Sequence, residues 1–375
     1  MGSRKEIISN FYAQHGEDGR TERSRHGQLE YRTTMTYIHR YATKRSKILE
    51  IGAGTGRYSI ALAKEGMDVT AVELVESNLA VLRENSKGLE RIRSFQGDAT
   101  DLSRFPDNSF DVTLSLGPMY HLYETDEVNR AIDEAIRVTK PRGVILFAFI
   151  SVFAIMYANY FYGNWSEGQT ENFTKDHRVR HFKEQVFTGY DVTEFEDLFR
   201  GKPVDWITTA GTDGLLEPIE KRPDFSVTDK EFQALAEWYL AFSEKRELLG
   251  HTNHLLYICR KQAIHTMNLT PAAFSKIKNG TKTIELRLYD EKRKKIRPGD
   301  RIVFSETESR EQLEVRVLEL SVFDSFAALY AALPLAACGY AEEELDRASP
   351  EDMDLYYSKE QQRKYGAVGI RIALP

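Results

Sequence analysis

The chain has 375 residues, 41% of them hydrophobic and 29% charged, with a formal net charge of −6. That length exceeds one ordinary core and points to two domains, and the acidic balance excludes a generally basic nucleic-acid binder while leaving room for a local basic face. Two distant cysteines, Cys259 and Cys338, make no disulfide framework, the usage expected in a reducing cytosol.

The N-terminus is charged (Arg4, Lys5, Glu6) with no apolar h-region, so no signal peptide is expected. The longest apolar stretch, 144–158, is broken by Ser151 and is too short to span a bilayer. A cytoplasmic protein without a membrane partner is expected. In chain order, residues 1–45 read as a helical cap with a helix at 29–41. Strands at 47–51, 68–73, 91–96, 110–116 and 144–150 then alternate with helices at 58–65, 77–87 and 126–138. Such alternation predicts a parallel sheet with helices on both faces. Residues 152–190 read as an irregular aromatic insertion facing substrate. A helix at 192–200, a strand at 204–210, a long helix at 229–249 and a strand at 254–260 follow. They close a seven-stranded, mostly parallel α/β sheet whose last strand is antiparallel. A second unit, 264–375, carries a short helix at 271–279 and strands at 301–305, 313–320 and 367–373, a compact β-barrel-like pattern. The expected boundaries are 1–262 and 264–375.

The strongest local signal is Glu50-Ile51-Gly52-Ala53-Gly54-Thr55-Gly56, directly after a strand and before a helix. Glycines allow a tight turn and close approach of a ligand to the backbone. A dinucleotide fingerprint needs its third glycine at position 57, where this chain has Arg57. That shift argues for a cofactor without a pyrophosphate. Glu73 ends the second strand, where a carboxylate can bind both ribose hydroxyls. Asp98, in Gly97-Asp98-Ala99, follows the third strand and can reach an adenine amino group, with Ala99 leaving room for the ring.

Together with Phe110-Asp111-Val112 and the turn 137–143, these residues resemble the class I S-adenosylmethionine-dependent methyltransferases over roughly residues 1–262. The resemblance implies a Rossmann-like fold and S-adenosylmethionine as cofactor. It implies cofactor contacts from Glu50, Gly52, Ala53, Gly54, Gly56, Glu73, Leu74, Asp98, Ala99, Leu116 and Gly117. The fourth strand runs into Gly117-Pro118-Met119-Tyr120-His121, where such enzymes present substrate-facing residues. This differs from the Asn/Asp-Pro-Pro-Tyr motif of amino-methylating nucleic-acid enzymes and counts against exocyclic base methylation. Tyr120 and His121 are the catalytic candidates, with His121 as a base; packing or capping of the next helix is the open alternative. An N-terminal helix closing over the cofactor would bring Arg25 to its carboxylate and Tyr12 or Tyr31 beside the methyl group. His177 and His181 are four apart, yet lack a third ligand, so no metal is expected. The aromatic run Phe153, Tyr157, Tyr160, Phe161, Tyr162 and Trp165 is read as core packing or an acceptor pocket.

In the second unit, Gly280-Thr281-Lys282-Thr283-Ile284-Glu285-Leu286-Arg287 matches the G-x-K-x-x-E-x-R signature of the ASCH domain, a relative of the RNA-binding PUA fold. The resemblance implies ligand or RNA binding through Lys282, Glu285 and Arg287, with Lys282 placed on the same strand face as its charged neighbours. Some ASCH proteins are amidohydrolases that need a Thr where this chain has Glu285, so binding is preferred to hydrolysis. The basic run 292–297 is read as a solvated loop or a phosphate track. The acceptor stays open between RNA or a nucleoside-like molecule delivered by the ASCH domain, and a small molecule with a nucleotide bound there as regulator. A non-catalytic sensor is the third reading.

Overall fold

The computed structural model describes residues 3–15, 24–161, 163–182 and 185–374, so Tyr162 lies outside the described residues. The chain divides into two compact units, Met1–Lys261 and Gln262–Pro375.

The first unit opens with helices α1 (Arg4–His15) and α2 (Arg25–Tyr41). There follow β1 (Lys47–Ile51), α3 (Arg57–Lys64), β2 (Asp68–Glu73), α4 (Glu76–Asn85), β3 (Ile92–Gln96), β4 (Phe110–Ser115), α5 (Thr125–Val138) and β5 (Thr139–Ser151). The remainder comprises α6 (Val152–Phe161), α7 (Trp165–Asn172), the two-residue β6 (Gly189–Tyr190), α8 (Val192–Asp197), β7 (Val204–Gly211), α9 (Leu216–Glu220), α10 (Asp229–Phe242), α11 (Arg246–Leu249) and β8 (His254–Lys261). The sheet order is β3-β2-β1-β4-β5-β8-β7, with β6 paired beside β5. Strands β1 to β5 pair in parallel, and β8 lies antiparallel between β5 and β7. The seven-stranded path matches expectation, and β6 adds an eighth short strand.

Successive strand residues point to opposite faces, so Leu49 and Ile51 enter one core with Phe147 and Phe149. Ile48 enters the other, with Val69, Val112 and Leu146. Helix α5 buries Val128, Ala131, Ile132 and Ala135 at three- and four-residue spacing, which lays one apolar stripe on the sheet. With both faces covered, the parallel strands read as unbroken apolar runs. The carboxyl ends of β1, β2, β3 and β4 therefore share one edge, where open α/β sheets bind ligands.

The segment after β5 departs from the sequence reading. It forms α6 and α7 rather than an irregular lid. Helix α6 is apolar on every face apart from Asn159, so it carries no 3.6-residue pattern to read. Phe153, Tyr157, Tyr160, Phe161 and Trp165 are all exposed. Among the described residues no helix is long and apolar enough to cross a membrane.

The second unit is a five-stranded half-barrel, ordered β10-β13-β12-β11-β9. Its elements are β9 (Ile264–Leu269), α12 (Pro271–Lys278), β10 (Ile284–Leu288), β11 (Arg301–Glu306), β12 (Gln312–Phe323), α13 (Phe326–Ala332), α14 (Lys359–Tyr365) and β13 (Ala367–Ala373). All pairs are antiparallel except β9 with β11. Ile302, Phe304, Val315, Val317, Ile370 and Ile372 fill its core.

Candidate active site and ligand cavity

The loop after β1 takes its path from three glycines in the left-handed region, Gly52 (φ +74°), Gly54 (φ +55°) and Gly56 (φ +91°), a conformation costly for any residue with a Cβ. At Gly52 a Cβ would also stand 2.7 Å from Pro118 Cδ, so this glycine lets the loops after β1 and β4 touch. The Gly54 amide donates to Glu73 Oε2 (2.7 Å) and the Val75 amide to Oε1 (2.8 Å). Glu73 is thereby pinned at the end of β2 with lone pairs left for a ligand.

One cavity of about 570 Å³ opens at this edge, within the 300–1,000 Å³ range of cofactor sites. It is lined by Glu50, Gly52, Ala53, Gly54, Gly56, Glu73, Leu74, Asp98, Ala99, Leu116, Gly117, Tyr120 and His121. The structure thus brings together the full set of cofactor and catalytic candidates. Glu50 is an inner wall rather than an open charge. It accepts from the Ser59 hydroxyl, and burial pushes its carboxyl up to about 8. Asp98 accepts from the Thr100 amide and hydroxyl through Oδ1, and from Arg4 through Oδ2 (2.7 Å). Burial alone would raise this carboxyl, but Thr100 and Arg4 together hold it below the usual range.

Helix α1 supplies Arg4, Ile8 and Tyr12 to the same cavity. Arg4 also lies 3.2 Å from Glu127. His121 donates from Nδ1 to the Val186 carbonyl (2.6 Å), which leaves Nε2 as acceptor for the Tyr12 hydroxyl (2.9 Å). Burial lowers this imidazole to about 4. Tyr12, Tyr120 and Phe187 surround it in edge and tilted contacts, and Phe11 packs edge-on against Tyr12 and Phe187. Sequence reasoning missed Arg4, Phe187 and also Arg57 and Glu30, which line the cavity too. Glu30 left a trace, because a carboxylate on the buried stripe of α2 needs a polar reason to be there.

Other expectations change. Arg25 does not line the cavity; its guanidinium meets Asp229 (2.5 Å) and stacks on Phe232, because α2 turns that side chain toward α10. His177 and His181 share no helix: His177 sits in a turn at φ +59°, and His181 bonds Thr188 and Glu194. Among the described residues, Glu30, Asp213 and His254 form the one cluster with potential metal ligands in reach of each other. His254 Nδ1 lies 2.7 Å from Asp213 Oδ2, a hydrogen-bond separation between two atoms that would both have to face the ion.

A family description, "Methyltransferase domain", matches residues 49–147 and another, "ASCH domain", matches residues 267–375. A demethylmenaquinone methyltransferase of Clavibacter sepedonicus is 43% identical over 101 residues, 27% of this chain and 39% of the relative. The chain likewise spans less than half the length of relatives from Geobacillus sp. (41%) and Bacillus subtilis (48%). A demethylmenaquinone methyltransferase of Staphylococcus aureus is 33% identical over 178 residues, covering 40% of this chain and 72% of the relative. The chain belongs to the S-adenosylmethionine-dependent methyltransferases. A solved S-adenosylmethionine-dependent methyltransferase of Mesorhizobium loti is 17% identical, covers 61% of this chain and 98% of its own, and aligns with a TM-score of 0.40. S-Adenosylmethionine is the cofactor of the family. The methyltransferase cavity fits it in donor chemistry, with anchored carboxylates for hydroxyl and amino groups and a small Ala99 beside Asp98.

The ASCH unit has its own cavity of about 420 Å³, lined by Lys282, Glu285 and Arg287 among others. Strand β10 starts at Ile284, so Lys282 precedes it instead of sharing its face. Lys282 reaches Glu285 (2.8 Å) from one side and Arg287 reaches it (2.7 Å) from the other. Burial opposes charge on Glu285, yet the two cations outweigh it and lower its pKa. Arg287 also donates to the Asn268 carbonyl of β9 (2.7 Å). Gly339, at φ +100°, packs against the Lys282 stem where a Cβ would come within 3.0 Å. The Tyr340 hydroxyl donates to Asp352 (2.9 Å), so the Tyr330 hydroxyl donates to Tyr340 (2.6 Å) and keeps its own lone pairs for a ligand. The basic run 292–297 is a short turn in which Arg293 and Lys294 pair with Asp290 and Glu291.

Proposed function

We propose that the protein methylates a small molecule enclosed beside the cofactor, and that its ASCH unit binds a nucleotide-like regulatory ligand. The observation that carries the first part is the cover over the cavity: Tyr12 on His121 and Arg4 on Asp98. A polynucleotide would have to extrude a base past this cover, whereas a small acceptor fits beneath it. The name carried by the Clavibacter and Staphylococcus relatives also points to a small-molecule acceptor. The ion triad and the Tyr330 lone pairs in the 420 Å³ cavity support the second part.

Bound S-adenosylmethionine supplies a methyl group already activated on a sulfonium, so alignment and exclusion of water do most of the work. Glu73 and Asp98 hold the adenosine end. Phe11, Tyr120 and Phe187 keep water from the acceptor side. His121, lowered to about 4, stays neutral across the physiological range. It adds no positive charge beside a cationic cofactor and is a weak base, so its role is to hold Tyr12 and the acceptor. A nucleoside-like acceptor is the second reading, favoured by the fused ASCH cavity.

The test incubates purified protein, methyl-labelled S-adenosylmethionine and a cell extract, then separates RNA, protein and small molecules. Label among small molecules, absent with Glu73→Ala, is expected. Label in RNA would overturn the small-acceptor reading, and no label in any fraction would favour the sensor.

A further inference from the structure

The amino edge of the first sheet, opposite the cofactor cavity, carries a second cleft. Strand β4 begins there, β5 enters directly from α5, and β8 ends there because it runs antiparallel to β5. Between the pairs Phe110–Thr139 and Val112–Val144, β4 advances two residues while β5 advances five, so residues 140–143 bulge out of the ladder. Gly143 closes the bulge. A Cβ there would stand 2.6 Å from Thr139 Cγ2 and 2.8 Å from the Asp111 and Lys140 carbonyl oxygens. Arg142 sits at φ +66°, a left-handed conformation that costs stability in any residue with a Cβ. Such strain concentrates at functional positions, where the surrounding structure holds it.

The bulge forms one wall of a cleft of about 350 Å³, lined also by Arg40 and Tyr41 at the end of α2 and by Arg260 of β8. Val144 pairs with Arg260, and the Arg260 guanidinium donates to the Arg142 carbonyl (3.1 Å), which ties both arginines to one rim. Lys140 lies 2.6 Å from Asp111, whose other oxygen accepts from the Lys47 amide (2.8 Å). Arg40 lies 2.8 Å from Glu244 and over the Tyr37 ring. Burial raises the Tyr41 hydroxyl, and Arg40 and Arg260 both pull it back, so the two charges act on the same space. The lining holds four cations, Arg40, Lys140, Arg142 and Arg260, against one carboxylate, Asp111. In a chain of net charge −6 this excess is local. The Lys140–Asp111 and Arg40–Glu244 pairs are partly exposed, where an ion pair contributes little and its cation can turn to another anion.

We propose that this cleft binds an oligophosphate anion, free or as the phosphate chain of a nucleotide, with Arg142 and Arg260 on its oxygens and Arg40 and Lys140 adding charge from the sides. A guanidinium presents a planar fork of donors that matches phosphate oxygens in pairs. A single phosphate would leave most of the four cations unmatched, whereas a chain of two or three reaches across them. The cleft shares no lining residue with the cofactor cavity or the ASCH cavity, so it is a third site with its own ligand.

Calorimetry on the full chain tests this with inorganic triphosphate, ATP, AMP and an oligouridylate. Triphosphate and ATP are expected to bind, and AMP to bind more weakly. Arg142→Gly is the diagnostic variant, because glycine accepts φ +66° without strain and keeps the carbonyl that Arg260 bonds. It should melt no lower than wild type yet weaken triphosphate by about 10-fold or more, the scale of one charge-assisted bond. Arg260→Gln should weaken triphosphate as well. Lys44→Gln, at an exposed position outside the cleft, and Lys282→Gln in the ASCH cavity should leave it nearly unchanged. Equal affinity for triphosphate and ATP gives the free anion as ligand and tighter ATP gives the nucleotide; either upholds the cleft. Equal loss from Lys44→Gln and Arg142→Gly overturns it, since that is a diffuse field rather than a site. So does undiminished binding to Arg142→Gly, loss on Lys282→Gln, AMP as tight as triphosphate, or no triphosphate binding at all. An oligouridylate that outbinds triphosphate would give the cleft to a nucleic-acid backbone and overturn the small-anion assignment.

Discussion

Replacing Glu50 by Gln tests whether the glycine loop is built around a neutral acid. Glu50 is 1% exposed on β1, and burial, reinforced by the charge of Glu73, pushes its carboxyl from 4.5 to about 8. The bond from Ser59 opposes that shift without cancelling it. The native state therefore keeps a proton that the unfolded chain releases near pH 4.5, so the native state binds more protons between the two values. Stability from this group is complete below about pH 4.5 and is withdrawn as pH rises toward 8. At 1.36 kcal/mol per pKa unit the loss by pH 8 is about 4 kcal/mol. Gln presents the same shape, can accept from Ser59 and never ionises. Wild type and variant should then unfold alike at pH 5, while at pH 8 the variant melts on the order of 10 °C higher. Two units need not melt together, so the transition to follow is the one that S-adenosylhomocysteine shifts upward. Parallel melting curves at both pH values would falsify the neutral-acid account, because they would mean Glu50 ionises as easily inside the fold as outside.

Four further outcomes follow from the same reasoning. His121→Ala should cut turnover far more than cofactor affinity, read as kcat against the dissociation constant of S-adenosylhomocysteine; equal loss of both would make His121 a packing residue. Because the wild-type imidazole is lowered to about 4, its rate profile between pH 5.5 and 8 should show no limb from this group. Glu285→Ala in the ASCH unit strands Lys282 and Arg287 with their shared counter-charge gone and should cost about 3–5 kcal/mol in that unit's melting. The wild-type ASCH unit should itself weaken as pH falls below about 4.5, since a lowered carboxyl contributes only while ionised, and a flat acid profile would argue against the triad.

Much of the site was legible because its signals are local. Gly52, Gly54 and Gly56 encode backbone conformation at their own positions, and Glu73 and Asp98 announce themselves by ending strands. The α/β alternation and the G-x-K-x-x-E-x-R run are likewise short-range patterns. Arg4, Glu30 and Arg57 carried no such label. Arg4 and Glu30 join Arg57 in one cavity because α1 and α2 fold back over an edge built from residues 50 to 121, and no spacing in the chain records that return. Lys282 was placed on a strand face because alternation was extended one residue pair too far; the strand begins at Ile284 and the lysine reaches Glu285 from outside it.

Sequence alone therefore determined the fold class, the cofactor family and the placement of Glu73 and Asp98 at the strand ends that line the cavity, since each follows from backbone propensity and strand position. Tertiary structure decided which charges stand in pairs: Arg25 went to Asp229 while Arg57 stayed at the cavity, and Tyr330, Tyr340 and Asp352 became one hydrogen-bonded line. The physical reason is range. Periodicity and glycine placement act over a few residues, whereas the pairing of buried polar groups depends on where distant helices bring them and on the cost of leaving any of them without a partner.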